Sequence, residues 1–264
     1  KSSSTQIYQI KEVIKLNESK EELPVVLITG AAKRIGAELA RLFSSKGFVC
    51  IIHYNNSKKE AESLARLLNE NSTARCYTVQ GNLNSPDIVA KISKFCCDLG
   101  RLDVLINNAS SFYPTPLEQC DQSQWDDLIN SNLKSPFFIA QALAPLLKEN
   151  KGSIINISDM HARQALINHP IYTIAKAGNI AMTKTLAKEL APEIRVNSVA
   201  PGAILWPEHE TDDIDKQQSV LSKVPLGRLG TESDIAKTTY FLAVDAEYMT
   251  GQTIAVDGGS SNAL

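Results

Sequence analysis

The chain has 264 residues, of which 43% are hydrophobic and 21% are charged, and its formal net charge is −2. This length can bury a large core and suits one α/β domain, whereas the slightly acidic balance argues against a nucleic-acid-binding protein. No segment approaches the roughly 18 consecutive apolar residues of a membrane span, so we expect no membrane association. The five cysteines lack zinc-ligand spacing, which predicts reduced thiols in a cytoplasmic protein without a metal site.

Residues 1–23 are polar and charged, and we expect a flexible N-terminal tail followed by one domain over residues 24–264. Within that domain, short β-branched runs without polar alternation are separated by segments of helical period. This pattern predicts an α/β fold, a single doubly wound Rossmann domain with a mainly parallel seven-stranded sheet. The predicted strands are Val25–Thr29, Val49–His53, Arg75–Val79, Val104–Asn107, Ser153–Ile157, Arg195–Val199 and Thr253–Val256.

The segment VVLITGAAKRIGAELARLF predicts a nucleotide-binding turn. Gly30 ends the first strand, and Gly36 falls inside the first turn of the following helix. The backbone N–H groups and the positive helix end of such a turn attract a pyrophosphate. Arg34 replaces the middle glycine of the usual pattern, and a plain strand-to-helix turn is the alternative interpretation.

The second predicted strand ends in IIHYNNSKK, which contains no acid to hold the ribose hydroxyls of NAD. Asn55, Asn56 and Ser57 can instead donate hydrogen bonds to the 2′-phosphate of NADP. The sequence therefore favours NADP(H) over NAD(H), with a solvated loop as the alternative. The lysines that could supply positive charge are Lys33, Lys58 and Lys59.

Tyr172 and Lys176 stand one helical turn apart, so their side chains share a face. An ammonium group about 4 Å from a phenol favours the phenolate by about 4 kcal/mol at an effective dielectric of 20. That energy corresponds to about three pKa units. We therefore expect Tyr172 to titrate near neutral pH and to act as the catalytic acid–base.

The motifs TGAAKRIG, NNAS, YTIAK and VAPGA occur in this order, and across about residues 24–260 the chain resembles the short-chain dehydrogenase/reductase family. Within that family it resembles the pteridine reductases most closely. Arg34 replaces the turn glycine, NNASSFYPTPL (Asn107–Leu117) matches their loop, and Asp159 stands where most relatives keep a serine. The lack of an insertion after PTPL resembles the compact, bacterial members.

This resemblance implies an NADPH-dependent reductase of oxidised pterins or dihydropterins, working as a homotetramer. The implied substrates are biopterin, dihydrobiopterin and dihydromonapterin, with dihydrofolate as a further candidate. A carbonyl-reducing relative such as a 3-oxoacyl-carrier-protein reductase is the enzymatic alternative. A non-catalytic, NADP-sensing interaction protein is another, although the intact Tyr172, Lys176 and Asn132 favour an enzyme.

Asp159 distinguishes pterin chemistry from ketone chemistry. In most relatives a serine hydroxyl stabilises the developing alkoxide of a ketone substrate, which a carboxylate would repel. Reduction of a pterin C=N bond makes nitrogen the atom that needs a proton, and this suits an acceptor or proton-passing carboxyl group. In the alternative interpretation Ser158 has the usual role and Asp159 is a surface acid, but the thirteen-residue separation from Tyr172 falls on Asp159.

The resemblance also implies roles for the other site residues. Asn132 would position a water for proton resupply, Lys176 would also hold the nicotinamide ribose, and Phe112 would stack on the pterin. The implied catalytic residues are Asp159, Tyr172, Lys176 and Asn132. The implied substrate-binding residues are Arg34, Ser110, Phe112, Asp159, Tyr172 and the lid residues Leu205 and Trp206. The implied coenzyme-binding residues are Gly30, Lys33, Arg34, Ile35, Tyr54, Asn55, Asn56, Ser57, Asn82, Leu83, Asn108, Ala109, Ser110, Tyr172, Lys176, Pro201 and Gly202.

Two histidines near these residues are interpreted as incidental. Neither His161 nor His209 has a partner at the spacing of a catalytic triad or a metal site.

Overall fold

Parallel strands build the centre of the protein, whose computed structural model describes residues 23–204 and 214–262. The strands are β1 (Val25–Ile28), β2 (Val49–Tyr54), β3 (Cys76–Gln80), β4 (Val104–Asn107), β5 (Ser153–Ile157), β6 (Arg195–Pro201) and β7 (Thr253–Val256). They form one sheet in the order β3-β2-β1-β4-β5-β6-β7, and every pairing is parallel. The predicted Rossmann-like α/β fold is confirmed, and the predicted strand ends differ from the observed ones by at most two residues.

Helices connect the strands and cover both faces of the sheet. They are α1 (Arg34–Ser45), α2 (Lys58–Asn71), α3 (Ile88–Leu99), α4 (Gln122–Ile129), α5 (Ser135–Glu149), α6 (His161–Gln164), α7 (Pro170–Glu189), α8 (Ile214–Leu221) and α9 (Glu232–Tyr240). Two π-helical turns, Asn130–Lys134 and Phe241–Asp245, continue α4 and α9.

The apolar core lies in two layers because neighbouring strand residues point to opposite faces of the sheet. Val26 and Ile28 pack in the layer formed with α1, α2 and α9. Val25 and Leu27 pack in the layer formed with α3, α5 and α7. A strand that is covered on both faces carries apolar residues at successive positions, which explains the absence of alternation in the sequence.

The strand order reverses between β1 and β4, and this reversal opens a crevice at the carboxyl ends of the strands. Thr29 joins the two strand ends, since its Oγ1 accepts the N–H groups of Asn108 at 3.0 Å and of Ala109 at 3.1 Å. The Asn108 side-chain amide donates back to the carbonyls of Thr29 and Gly30. The crevice therefore has a rigid floor.

Some predictions fall on residues that the structure does not describe. These are the N-terminal tail up to residue 22, the lid residues Leu205 and Trp206, and His209. Among the helices within the described residues, none combines the length and the apolar character needed to cross a membrane.

Candidate active site

The turn after β1 depends on two glycines. Gly30 has a φ of +63°, which favours glycine, and a Cβ there would lie 2.8 Å from the Cα of Ala109. A Cβ on Gly36 would lie 2.7 Å from the Cα of Ala31. Among the described residues, no side chain caps the N-terminus of α1, so its first N–H groups can bind an anion. The exposed Arg34 begins this helix, and the half-buried Ile35 follows it.

His53, at the end of β2, connects this turn to the end of β3. Its Nδ1 accepts the N–H of Gly30 at 3.3 Å, and its Nε2 lies 3.0 Å from the carbonyl oxygen of Gly81. Because a carbonyl only accepts, Nε2 carries the ring proton. Burial lowers the pKa of His53 to about 4, despite the hydrogen bond to Gly81, so the ring is neutral at physiological pH. This role of His53 is not predictable from the sequence, because a histidine within a buried strand carries no motif.

The loop predicted to bind the 2′-phosphate lies beyond β2. Tyr54 is buried, Asn55 and Asn56 are exposed, and Ser57 precedes α2. The ammonium group of Lys33 lies 2.7 Å from a carboxylate oxygen of Glu60. Exposed ion pairs of this kind contribute little to stability, so Lys33 can exchange Glu60 for a phosphate easily. Lys58 has a longer contact of 3.7 Å with Glu62.

The chemical centre joins Tyr172 and Asp159. The buried hydroxyl of Tyr172 donates to Oδ2 of Asp159 at 2.7 Å. The Ser158 hydroxyl lies on another side and donates to the backbone carbonyl of Lys176 at 3.3 Å. The carboxylate, and not the neighbouring hydroxyl, therefore contacts the phenol.

The prediction that Lys176 brings the pKa of Tyr172 near neutral pH is wrong for this arrangement. The ammonium group of Lys176 donates to the carbonyl oxygen of Ile157 at 2.9 Å and lies 5.6 Å from the centre of the Tyr172 ring. Burial raises the pKa of Tyr172 well above its ordinary value, the charge of Asp159 adds to this effect, and a hydrogen bond with Ser110 opposes it. Tyr172 thus keeps its proton at neutral pH and can act as a donor.

Burial also changes the two charged groups beside the phenol. It lowers the pKa of Lys176 to about 8, although the charge of Asp159 acts in the opposite direction. Burial alone would raise the pKa of Asp159, but hydrogen bonds from the His161 ring, the Tyr172 hydroxyl and the His161 backbone leave it below its ordinary value. At neutral pH the centre therefore contains a carboxylate, a phenol and an ammonium group.

His161 has a partner, which its spacing in the sequence did not lead us to expect. Its ring Nδ1 lies 2.8 Å from Oδ1 of Asp159, and its backbone N–H donates to the same oxygen at 2.8 Å. The signal in the sequence was the spacing of Asp159 and His161, since a carboxylate at the start of a short helix commonly binds the N–H group two residues later.

Asn132 and Ser110 lie next to this centre. The side-chain carbonyl of Asn132 accepts the Ser110 hydroxyl at 2.6 Å, and its amide donates to the carbonyls of Ser111 and Leu128. The π-helical turn that contains the buried Asn132 is a feature often found at functional sites. Ser110 thus binds Asn132 and also acts on the phenol of Tyr172, whose pKa it lowers.

An aromatic group borders the crevice. The ring of Phe112 stacks on the ring of His169 with centroids 4.8 Å apart and planes 8° apart. It also meets the ring of Tyr172 edge to face at 4.8 Å. Phe112 remains 57% exposed, so it retains surface on which a flat ligand can stack. His169 is not among the predicted site residues.

The remaining predicted coenzyme residues lie at the same edge of the sheet. Asn82 is exposed, and the carbonyl of the buried Leu83 accepts the Ser135 hydroxyl at 2.6 Å. Pro201 ends β6, and a Cβ on Gly202 would lie 2.6 Å from the Cα of Asp257. The described part of the predicted site is therefore brought together around one crevice.

Comparisons with known proteins place the chain among reductases. Residues 30–261 match a family model described as enoyl-(acyl carrier protein) reductase. The 3-oxoacyl-[acyl-carrier-protein] reductase FabG of Staphylococcus aureus is 36% identical over 88% of this chain and 96% of its own length. The corresponding protein of Thermotoga maritima is 38% identical over 89% of this chain and 96% of its own length.

A pteridine reductase is similar to nearly the same extent. Pteridine reductase 1 of Leishmania tarentolae is 35% identical over 90% of this chain and 96% of its own length. Its alignment spans 280 positions, more than the 264 residues here, so that relative has inserted residues within the matched region. Among solved structures, acetoin dehydrogenase from Enterobacter cloacae has a TM-score of 0.84 at 29% identity, covering 93% of this chain and 98% of its own. Together, these matches, the fold and the Tyr172–Lys176 pair show that the protein belongs to the short-chain dehydrogenase/reductase family of oxidoreductases.

Proposed function

We propose that the protein is an NADPH-dependent pteridine reductase that converts oxidised pterins or dihydropterins to their tetrahydro forms. The observation that carries the proposal is the 2.7 Å hydrogen bond between the Tyr172 hydroxyl and the Asp159 carboxylate. A ketone reduced at this point would develop negative charge against that carboxylate. A pterin presents N–H donors to it, and the nitrogen of the reduced C=N bond takes up a proton.

The coenzyme end of the crevice is suited to a dinucleotide. At Gly30 and Gly36 a side chain would clash with the turn or with the residues that follow β4, so the backbone there is packed closely and carries no side chain. The start of α1 has no side-chain cap among the described residues, and a pyrophosphate can approach its free N–H groups. Asn55, Asn56 and Ser57, with Lys33, are our candidates for holding the 2′-phosphate. NADPH, when bound, supplies the hydride for the reaction.

The residues of the chain supply the proton and the orientation. Tyr172, protonated and buried, donates its hydroxyl proton to the substrate nitrogen. Lys176, whose pKa is about 8, is positively charged at neutral pH and is our candidate for holding the nicotinamide ribose. Phe112 offers a stacking surface that orients the pterin ring. Asn132 and Ser110 lead from Tyr172 towards α4 and can hold a water for proton resupply.

A 3-oxoacyl-carrier-protein reductase is the second candidate, and overall similarity supports it. Relatives with that name are 36% and 38% identical to this chain, compared with 35% for the pteridine reductase. These relatives support carbonyl reduction at least as well as pterin reduction, whereas the local chemistry at Asp159 favours the pterin.

The two candidates differ in the substrates that they reduce. We would measure NADPH oxidation with biopterin, dihydrobiopterin, dihydromonapterin and dihydrofolate, and in parallel with a 3-oxoacyl thioester. Turnover of at least one pterin with a higher kcat/KM than the thioester supports our proposal. Turnover of the thioester alone would establish the carbonyl-reducing alternative.

We also propose that the protein acts as a homotetramer, as its family commonly does. Exposed apolar side chains on α4, α5 and α7 are consistent with subunit contacts. They are Trp125, Phe137, Phe138 and Ile174.

A further inference from the structure

Asp159 is held from two sides, and only one side belongs to the reaction described above. Its Oδ2 accepts the hydroxyl of Tyr172, whereas its Oδ1 contacts Nδ1 of the His161 ring at 2.8 Å. The side chains of His161 and Asp159 are 27% and 22% exposed, so both are partly accessible to solvent while Nδ1 of His161 contacts the carboxylate. The three side chains therefore form a continuous path from solvent to the phenol.

Proton donation by Tyr172 creates a problem that this path can solve. When the phenol gives its proton to the substrate, a phenolate forms 2.7 Å from a carboxylate oxygen. Two adjacent anions in a buried site repel each other strongly. A protonated imidazole on the far oxygen of the same carboxylate would compensate one of these charges, and it carries a transferable proton.

We propose that His161 is a positioning and proton-supplying residue, and that protons reach Tyr172 from solvent through His161 and Asp159. This inference rests on the proposed pterin reduction. In each turnover the substrate carbon receives a hydride and the nitrogen receives the proton of Tyr172. The imidazolium of His161 then gives its Nδ1 proton to Asp159, the carboxyl group passes a proton to the phenolate, and the neutral imidazole takes one proton from solvent.

The surroundings of His161 set the charges that act on it. The short helix α6 packs against α7, and the amide of Gln164 joins it to the turn at residues 260–262 by donating to the Ser261 carbonyl. Among the described residues, the charged and titratable groups on these elements besides His161 are Arg163 on α6 and Tyr172, Lys176, Lys184, Lys188 and Glu189 on α7, and Asp159 contacts the ring itself.

The backbone makes the proposal testable by substitution. The N–H of residue 161 donates to Oδ1 of Asp159 at 2.8 Å, and any side chain at this position leaves that bond in place. In His161→Asn the amide nitrogen can take the position of Nδ1 and donate to the carboxylate, but it cannot pass a proton. In His161→Ala both the contact and the proton are lost.

The test compares these variants with the wild type under the same conditions. We would measure kcat and KM with NADPH and the best pterin substrate, and the Kd of NADPH by fluorescence. General acid–base groups contribute about 100-fold or more, so we expect kcat to fall by about this factor in both variants, with the KM of the pterin and the Kd of NADPH little changed. Added imidazole should restore turnover in His161→Ala in proportion to the imidazolium concentration, and Arg163→Gln should behave as the wild type.

Each other outcome overturns a specific statement. If His161→Asn is fully active while His161→Ala is not, the residue only positions Asp159 and supplies no proton. If both variants match the wild type, His161 has no part in turnover. If the wild type reduces no pterin at all, the proposed function fails, and the inference fails with it.

Discussion

Asp159 binds Tyr172 through one carboxylate oxygen and the backbone and ring of His161 through the other. These hydrogen bonds keep the carboxylate ionised at neutral pH, and its charge helps to keep the phenol protonated. The centre therefore combines an acceptor with a proton donor at 2.7 Å. A reducible heterocycle that carries both an imine nitrogen and an N–H group matches both groups, whereas a ketone oxygen matches only the donor.

Replacing Asp159 by serine should exchange one specificity for the other. In Asp159→Ser we expect kcat/KM for pterins to fall by about 100-fold or more, because the acceptor and its charge are lost. Turnover of a 3-oxoacyl thioester should rise, because a hydroxyl can stabilise an alkoxide. The measurement is NADPH oxidation with both substrates. Ser158→Ala serves as the control, since that hydroxyl donates to the backbone carbonyl of Lys176. Pterin turnover that survives in Asp159→Ser would contradict the role of the acid.

At the scale of elements, three strand ends are joined before any ligand binds. His53 connects the turn after β1 with the end of β3, and Thr29 connects the same turn with the end of β4. The close approach of Gly36 to Ala31 completes this arrangement. The cradle proposed for the pyrophosphate is therefore preformed by backbone contacts and two side chains.

Filling this cradle should weaken NADPH binding without unfolding the protein. A Cβ in Gly36→Ala would lie 2.7 Å from both the Ala31 Cα and the Asn108 side-chain nitrogen, so the turn must move. Such overpacking typically costs about 1–3 kcal/mol. We expect the Kd of NADPH, measured by fluorescence, to rise about tenfold or more while the far-ultraviolet circular dichroism is retained. Ser45→Ala, at the exposed other end of α1, should bind NADPH normally, and unchanged binding in Gly36→Ala would refute the cradle.

The features that could be predicted are those encoded by local sequence, and the features that could not be predicted depend on how distant segments pack. Strands covered on both faces are visible as unbroken apolar runs, and the spacing of Tyr172, Lys176 and Asp159 is nearly all local to one helix and the preceding loop. The direction of a side chain is not local. Lys176 turns to the Ile157 carbonyl, and His53 reaches Gly81, 28 residues away. The high pKa of Tyr172 also depends mainly on burial, which only the packed fold determines.

At the scale of the whole molecule, one sheet with an apolar layer on each face supports the site, and Tyr172 packs in a smaller cluster with Leu128 and Ile171. His53 lies within this sheet, where β2 pairs with β3. Its neutral ring is thus part of the folded architecture as well as of the crevice. The outer surfaces of α4, α5 and α7 keep exposed aromatic and aliphatic side chains that the core does not use.

The stability of the fold should decrease in mild acid because of His53. The ring has a pKa of about 4 in the folded protein, whereas in the unfolded chain a histidine titrates near 6.5. As the pH falls from about 6.5 to about 4, His53 binds a proton in the unfolded state but not in the folded state. The free energy of unfolding should drop by up to about 3 kcal/mol over this range. Denaturant titrations at several pH values measure this free energy. In His53→Gln, whose side chain does not titrate, the free energy of unfolding should depend correspondingly less on pH. An equal pH dependence in the variant and the wild type would exclude His53 as the cause.

The tetramer should depend on the exposed face of α5. Phe137 and Phe138 are exposed there with their rings 5.3 Å apart, and covering them removes apolar surface from water. We expect light scattering to give four times the mass of the chain for the wild type and a smaller assembly for Phe138→Glu. Leu67→Glu, on the opposite layer of helices, should leave the mass unchanged. A monomeric wild type would contradict this expectation.

The stack of Phe112 on His169 has a consequence for how quickly a flat molecule can settle in the crevice. A loop phenylalanine with more than half of its surface in water would ordinarily sample several rotamers, and a ligand would have to select one of them. Here the parallel imidazole and the edge of Tyr172 restrict that choice beforehand. Immobilising one side chain costs about 0.5–1.5 kcal/mol on association. Because its neighbours already hold Phe112 in place, stacking of a flat ligand on this ring does not incur that loss of entropy.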